Sequence, residues 1–383
     1  MNVLVLHYTH PEGYPPTVNA IHSISKKVDK VIILSTDTLP TKWKYEENVK
    51  LVLLKGNHNR FKHVNRSKWD KVNSYFNYTL KTYQLIKKEQ IDLLIIYDSV
   101  PFLFYRLASY FLKINFKVWY HNHDVYPLSK YKKYSVNWLG AKSVQKHFST
   151  IDFFSLPAIE RKKMFPLKAF KGKFFFIPNY PSKYFSKSPD VPIVDDKKIK
   201  IIYPGTPSHK NGFIELMDAM REPINAKTVT LTLTGEISPS FIKEIKNYAK
   251  EQGIEDQVFF DGRVPYSEMG NYISQFHIGW ALYKPVDLSV ATAGSSSNKI
   301  YEFLANGLPI IVFDNEHHHQ YFDNCNAVKY SNLSIDSIRS QIQRIESNFR
   351  ELSENARSEF ESKYQFENQF KKVFEDIKAD LNL

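Results

Sequence analysis

A single cysteine in 383 residues, Cys325, excludes an intrachain disulfide and a thiolate zinc cluster. It also fits a reducing compartment, so a cytoplasmic protein is expected. No apolar run reaches eighteen residues, so no transmembrane helix is expected. The chain enters a short apolar stretch at Asn2 with no basic leader before it, so neither is a cleaved signal peptide. The G-x-G-x-x-G fingerprint of dinucleotide binders is missing. Zinc-finger, RRM and basic-zipper signatures are missing as well, which places nucleic acid last among partners. No repeat of solenoid period is visible.

What is present is a globular composition, 43% hydrophobic and rich in aromatics, too long for one ordinary core. Charge is divided unevenly. Residues 1–180 carry 29 Lys and Arg against 12 Asp and Glu, while the remainder carry 23 against 28. A basic first half and a slightly acidic second half point to two domains with different partners. Short apolar runs alternate with helical patterns in both halves: Asn2 to Leu6, Val31 to Leu34, Ile91 to Tyr97 and Phe116 to Tyr120, then again from Lys200. That alternation predicts α/β domains whose parallel sheets are covered on both faces. The Pro-, Ser- and Asp-rich segment 178–198 reads as the linker. The expected domains are 1–180 and 181–366. The tail from Ile335 reads as two helices, the last at about Glu367 to Leu381 with Phe370, Val373, Phe374 and Ile377 on one face.

The most informative stretch is Gly294 to Phe313, GSSSNKIYEFLANGLPIIVF. Ser295, Ser296 and Ser297 leave backbone N–H groups approachable. Ser296 or Ser297 is a natural N-cap for a helix starting near Asn298 and stopped by Gly307. A serine-rich turn at a helix N-terminus is an anion site, because its unpaired N–H groups and the helix dipole point the same way. Glu302, one turn in, suits a pair of hydroxyls such as those of a ribose. A phosphate site beside a sugar site suggests a nucleotide sugar.

NKIYEFLANGLPII, residues 298–311, resembles the nucleotide-binding segment of GT-B glycosyltransferases, in particular the retaining family 4. The resemblance implies a GT-B fold: two Rossmann-like domains facing across a cleft, with a C-terminal helix, 367–383, crossing back to the first. It makes Glu302 the carboxylate that holds the donor ribose. Many members carry a second glutamate eight positions earlier, where this chain has Gly294. YPGTPSHKNG, residues 203–212, resembles the family's phosphate-binding loop, with Gly205 in place, Lys210 carried over although it sits one residue off the usual spacing, Thr206 standing where an arginine is usual, and Lys299 a second cation candidate. DGRVPYSEM, residues 261–269, resembles the loop whose backbone receives the nucleobase, which puts Val264 near the base.

On the acceptor side, WYHNHDVYP (residues 119–127) resembles the family's first-domain histidine motif. His123 then approaches the transferred hexose, with Asp124 beside it and His121 nearby. These three residues also have metal-binding chemistry, but the family needs no metal and no further ligand cluster is evident. Gly13 and Tyr14 lie in the first strand-to-helix loop, stiffened by Pro15 and Pro16, and suit acceptor shaping. Asp98 ends a strand at the same sheet edge. The run His317–His319 reads as a solvated loop.

Residues 41–90 carry 12 Lys and Arg against 4 Asp and Glu, interleaved with Trp43, Phe61, Trp69, Tyr75 and Phe76, and suit contact with an anionic membrane surface such as the inner face of the plasma membrane. The resemblance thus implies a metal-independent, retaining transfer of a hexose from a nucleoside-diphosphate sugar, UDP by preference, to a saccharide or lipid-linked acceptor. Cell-surface polysaccharide synthesis is the expected setting. A nucleotide-sugar epimerase and a catalytically degenerate binding subunit are the other expectations.

Overall fold

The computed structural model describes residues 1–37, 43–55, 67–185 and 195–382. Phe61 of the basic stretch and residues 186–194 of the expected linker lie outside the described residues. The chain divides into two compact units, Met1–Pro178 with Glu367–Leu383, and Asn179–Phe366. The break falls two residues before the expected one, because Asn179 is tied into the second unit: its N–H donates to the Ser295 carbonyl at 3.1 Å and its Nδ2 to the Ser296 carbonyl at 2.7 Å.

The first unit is built on seven parallel strands, β1 (Asn2–Leu6), β2 (Lys30–Thr36), β3 (Val49–Leu54), β4 (Leu93–Tyr97), β5 (Lys117–His121), β6 (Phe153–Leu156) and β7 (Lys173–Phe176). Their spatial order is β3-β2-β1-β4-β5-β6-β7. Leu4 of β1 therefore sits between Ile32 of β2 and Leu94 of β4. The second unit repeats the plan with β8 (Lys198–Pro204), β9 (Thr228–Thr234), β10 (Val258–Asp261), β11 (Ile278–Trp280), β12 (Ile310–Phe313) and β13 (Val328–Ser331). Their order is β10-β9-β8-β11-β12-β13. Both are Rossmann orders, in which the winding reverses beside the first strand and leaves a crevice at the strands' carboxyl ends. The crevices open between β1 and β4 and between β8 and β11.

Several elements differ from the expected ones for local reasons. The helix between β3 and β4 runs Lys68–Lys88 and begins where it does because Ser67 caps it by accepting the Asp70 N–H at 3.0 Å. Val136–His147, capped by Ser135, was not foreseen, since its apolar positions are few and Gly140 interrupts them. There Gly140 lets the helix approach Ser99, whose carbonyl oxygen would lie 2.6 Å from an added Cβ. The tail holds three helices, not two: Ile335–Ser347, Phe349–Lys363 and Phe366–Asp380. The histidine run is not a solvated loop but part of helix Glu316–Phe322, with His318 fully buried.

The final helix covers part of the first unit's sheet. Phe370 is 2% exposed and stacks on Trp119 of β5 with ring centroids 5.9 Å apart. Replacing Phe370 with Ala removes that ring and leaves a void. The first unit's urea transition is expected to shift by about 3–5 kcal/mol, against little change in the second unit's.

Candidate functional site

At the second unit's crevice the strand ends are stripped of side chains. Gly205 follows β8 with φ +114°, and its N–H donates to the Thr234 carbonyl at 2.8 Å. Gly235, at φ +128°, approaches so closely that an added Cβ would lie 2.5 Å from the Gly205 oxygen. Only glycine meets both demands. A Cβ on Gly205 would in turn stand 3.4 Å from the Lys299 ammonium, so this backbone forms the floor beneath that cation.

Lys299 is held by aromatic faces. Its Nζ lies 4.1 Å from the centroid of Tyr203, at the end of β8, and 5.2 Å from that of Tyr283, beyond β11. Burial works against its charge, but the two phenols work for it and the balance lies upward, so the ammonium persists. Burial, opposed by Lys299, pushes Tyr203 up to about 12. The Tyr203 hydroxyl donates to the carbonyl of Thr206, whose side chain faces solvent.

The serine turn is more ordered than expected. Leu288–Ala291 and Ala293–Ser296 form two short helical turns, and the main helix runs Asn298–Ala305. Ser297 occupies the N-cap position, but its hydroxyl lies 3.2 Å from the Tyr283 hydroxyl and does not cap. The Ser297 N–H donates to the Ala293 carbonyl and is therefore withdrawn from the expected anion cradle. The Ser296 hydroxyl donates to the Thr292 carbonyl at 2.8 Å. Among the described residues, the hydroxyl of Ser295 and the side-chain oxygens of Asn298 and Asn179 find no partner despite burial of those atoms. Such atoms are those a bound polar ligand or water satisfies. At the other end the helix stops at Gly307, φ +70°, where the Leu308 N–H turns back to the Phe303 carbonyl at 3.0 Å.

Glu302 projects from this helix. It is 6% exposed, yet its carboxylate takes no hydrogen bond from any described residue. Burial raises its pKa from 4.5 to about 7, with Lys299 pulling the other way. Lys210, by contrast, is half-exposed and paired with Asp287 at 2.9 Å. Asp287 also accepts the Val290 N–H, and the Lys210 carbonyl accepts the Lys284 N–H at 2.8 Å, so the loops after β8 and β11 are laced together. Val264 lies in the turn after β10, partly exposed. Gly294 is filled from outside: a Cβ there would meet the His317 ring at 2.6 Å. No side chain fits at 294 while His317 stays where it is.

The first unit's crevice holds an imidazole sandwich. His123 lies between Tyr14, with centroids 5.3 Å apart, and Tyr97, 5.2 Å away and stacked almost parallel at 7°. Its Nε2 meets the Thr17 hydroxyl at 2.8 Å, its N–H donates to Asp98 at 2.8 Å, and its carbonyl accepts from Arg161 at 2.6 Å. Burial, with the neighbouring His121, His7 and Arg161, holds His123 well below the ordinary histidine range. His121 is turned to Ser155 at 2.8 Å and lowered to about 3 by burial, so it braces the site from below. Burial raises Asp98 to about 7, against the hydrogen bond from His123. Asp124 is exposed and lies 3.9 Å from Arg161. Gly13 closes a short 3₁₀ turn whose N–H returns to His10 at 3.0 Å.

The structure thus gathers Gly205, Ser297, Lys299 and Glu302 in one unit and Tyr14, Asp98, His121 and His123 in the other. Tyr203, Tyr283, Gly235, Asp287, Thr17, Tyr97 and Arg161 escaped sequence reasoning. Tyr203 and Tyr97 carry a signal in the sequence, since each sits at the carboxyl end of an apolar strand-forming run. Among the described residues no three His, Cys, Asp or Glu side chains form a metal-binding group.

Two Rossmann-ordered units with a returning C-terminal helix define a GT-B protein. Residues 215–375 match the family model described as glycosyl transferase-like. Among solved structures the chain is similar to sucrose-phosphate synthase from Thermosynechococcus elongatus, at 13% identity and TM-score 0.70, covering 99% of this chain and 100% of that one. It is similar to Anabaena Alr3699/HepE in complex with UDP and glucose, at 12% identity and TM-score 0.67, with 99% and 100% covered. It is also similar to WaaG, a glycosyltransferase involved in lipopolysaccharide biosynthesis, at 13% identity and TM-score 0.64, with 97% and 99% covered. No curated protein matches it by sequence.

Between pH 4.5 and about 7 the folded state keeps a proton on Glu302 that the unfolded chain has lost, so stability falls as pH rises through that window. Glu302→Gln is therefore expected to stabilise the unliganded protein by about 1–3 kcal/mol at pH 8 and by almost nothing at pH 4, read from denaturant midpoints. The His123 ring is expected to stay neutral, its proton NMR shifts flat between about pH 5.5 and 8; a midpoint near the ordinary histidine value would place the ring in water.

Proposed function

We propose that the chain transfers a hexose from a nucleoside-diphosphate sugar, UDP by preference, to a hydroxyl of a saccharide or lipid-linked acceptor, with retention and without a metal ion. The observation that carries this reading is Glu302: a buried carboxylate with no hydrogen bond from the described residues, one turn into a helix whose first turn bears a caged ammonium. Desolvating a carboxylate without a partner is unfavourable, and a ribose diol supplies the two donors it lacks. Lys299 then faces the diphosphate. A fixed ammonium aimed at charge that grows on the departing diphosphate lowers the barrier more than uniform binding does. Lys210 joins it once its pair with Asp287 opens. Gly205 allows close approach by backbone, the side chains of Ser295 and Asn298 offer polar atoms, Thr206 adds a hydroxyl at the rim, and Val264 lies where a base would stack on backbone.

On the acceptor side, neutral His123 is suited to orient a sugar through hydrogen bonding. It is not suited to carry positive charge. UDP in the HepE complex and lipopolysaccharide synthesis by WaaG agree with this choice of donor and acceptor class. His317 in the space above Gly294 favours one second reading, a subunit that binds nucleotide sugar without turning it over.

A thermal-shift screen against UDP, GDP, ADP and their sugars tests the donor. At a thousand times its dissociation constant the right nucleotide adds about 4 kcal/mol of stability. Glu302→Ala is expected to weaken nucleotide binding about 10- to 100-fold, the loss of one or two charged hydrogen bonds. Turnover that survives EDTA supports metal-independent transfer, and tight nucleotide binding with no turnover supports the binding subunit. No shift with any nucleotide would overturn both readings.

A further inference from the structure

Residues 125–151 hold five lysines and one histidine but no aspartate or glutamate. They run from the loop after β5 through helix Val136–His147. Aromatic rings stand among these cations. Tyr134 is 70% exposed, and its ring meets that of Trp138 edge-on with centroids 5.4 Å apart. Lys133 lies 5.1 Å from the Tyr134 centroid and Lys142 5.6 Å from that of Trp138. Tyr134 sits at φ +63°, a left-handed conformation that a bulky side chain disfavours and glycine adopts freely. An exposed ring in a strained backbone adds little to the core, so its use is to be sought on the outside.

The same loop and helix enclose a pocket of about 50 Å³, space for one edge of a sugar rather than a whole ring. Tyr126, Tyr131, Val144 and Phe165 wall it, and its polar side is Asn122 with Tyr120, 5 and 1% exposed. Asn122 donates its Nδ2 to Asp98 at 3.2 Å and to the Tyr120 hydroxyl at 3.1 Å. Among the described residues, Asn122 Oδ1 finds no donor and the Tyr120 O–H no acceptor. A hydroxyl group answers both needs, because it accepts one hydrogen bond and donates one. A carboxylate would satisfy only the tyrosine and an ammonium only the amide. Asn122 and Asp124 flank His123 in the chain, so the pocket adjoins the segment that carries the imidazole.

We infer that this surface binds the acceptor, and that the acceptor is an anionic oligosaccharide. The pocket takes a hydroxyl-bearing edge of one sugar. The Tyr134–Trp138 platform packs against another sugar of the chain, and the lysines pair with its carboxylates or phosphates. The inference rests on the acceptor half of the transferase reading. Charge selects this occupant over a neutral glycan, which would leave the lysines without a counter-charge. A lipid surface would call for an aliphatic stripe, whereas this helix exposes one large aliphatic residue, Leu139.

The full chain is to be titrated with hyaluronan octasaccharide, which bears a carboxylate on every second sugar, and with maltooctaose, neutral and of equal length. Binding of the hyaluronan octasaccharide is expected to be tighter by about tenfold or more, the difference closing as salt is added. The double variant Lys133→Ala, Lys142→Ala should lose about tenfold of that affinity. Tyr134→Gly should lose about fivefold while the thermal midpoint stays level or rises, since platform and backbone strain go together. A ring needed only for folding would lower the midpoint instead. Tyr120→Phe removes one hydroxyl and should lose about fivefold. The nucleotide-induced thermal shift belongs to the second unit and should be unchanged in these variants, so its absence would count against the donor reading and not against this one. Equal affinity for the two octasaccharides, no measurable binding of either, or wild-type affinity of the lysine double variant or of Tyr134→Gly would overturn the inference. So would tighter binding to phosphatidylglycerol vesicles or to an oligothymidylate that the lysine double variant abolishes, since a lipid surface or a nucleic acid would then be the occupant.

Discussion

A carboxylate is held out of water at Glu302 with only a nearby ammonium, and no hydrogen bond from the described residues, to justify it. The folded chain gains nothing from this arrangement. Burial without hydrogen bonds disfavours the charged form, and an apolar residue of similar volume at that position would be at least as stable. Lys299 reduces the penalty from one turn away, at the neighbouring i,i+3 position on the helix face. The cation is itself fixed by Tyr203 and Tyr283. An ammonium and then a carboxylate along one helix offer complementary ends to a ligand with phosphate on one side and hydroxyls on the other. The cost to stability is the mark of a site rather than of a scaffold.

The rest of the second unit exists to hold those two groups still. Glu302 and Lys299 belong to an eight-residue helix, too short to be stable on its own. Its buried face, Ile300, Phe303 and Leu304, is locked into the core, and the Phe303 ring fills the space where Gly279 of β11 has no side chain, 2.3 Å from an added Cβ. From the other side Tyr301 donates its hydroxyl to the Gly294 carbonyl, and Asn179 takes the carbonyls of Ser295 and Ser296 into its own hydrogen bonds. The serine turn is therefore pinned from both ends. That rigidity places the ammonium over the Gly205 backbone without freezing flexible side chains at the moment of binding.

Much of this was legible in the residues. The alternation of apolar runs and helical patterns fixes parallel α/β units, and the glycine after Asn306 marks the helix stop because only φ above zero lets Leu308 turn back to Phe303. Glu302, Lys299 and His123 were singled out by spacing and by resemblance. What was not legible depends on contacts between distant parts of the chain. Nothing local tells that Tyr203 and Tyr283, eighty positions apart, share one lysine. Nor does the sequence near Lys210 predict its pair with Asp287, or the sequence near Gly294 the ring of His317. The anion cradle of the serine turn was over-read for the opposite reason: small polar residues can also close helical turns, and Ser297 gives its N–H to Ala293.

The first unit makes the same kind of concession at Asp98. Its backbone sits at φ 67°, ψ 171°, a region nearly reserved for glycine and unfavourable by about 1–3 kcal/mol. The carboxylate that results points back to accept the His123 N–H and the Asn122 side chain, at 2.8 and 3.2 Å. A glycine would relax the backbone and lose both bonds. The retained aspartate therefore means that fixing the segment 122–123 matters more here than local comfort. That segment is what sets the His123 imidazole between Tyr14 and Tyr97, where it cannot gain a proton near neutral pH. In each unit, then, backbone or charge strain is concentrated at the carboxyl ends of the strands flanking the reversal point, and the surrounding core is packed tightly enough to sustain it.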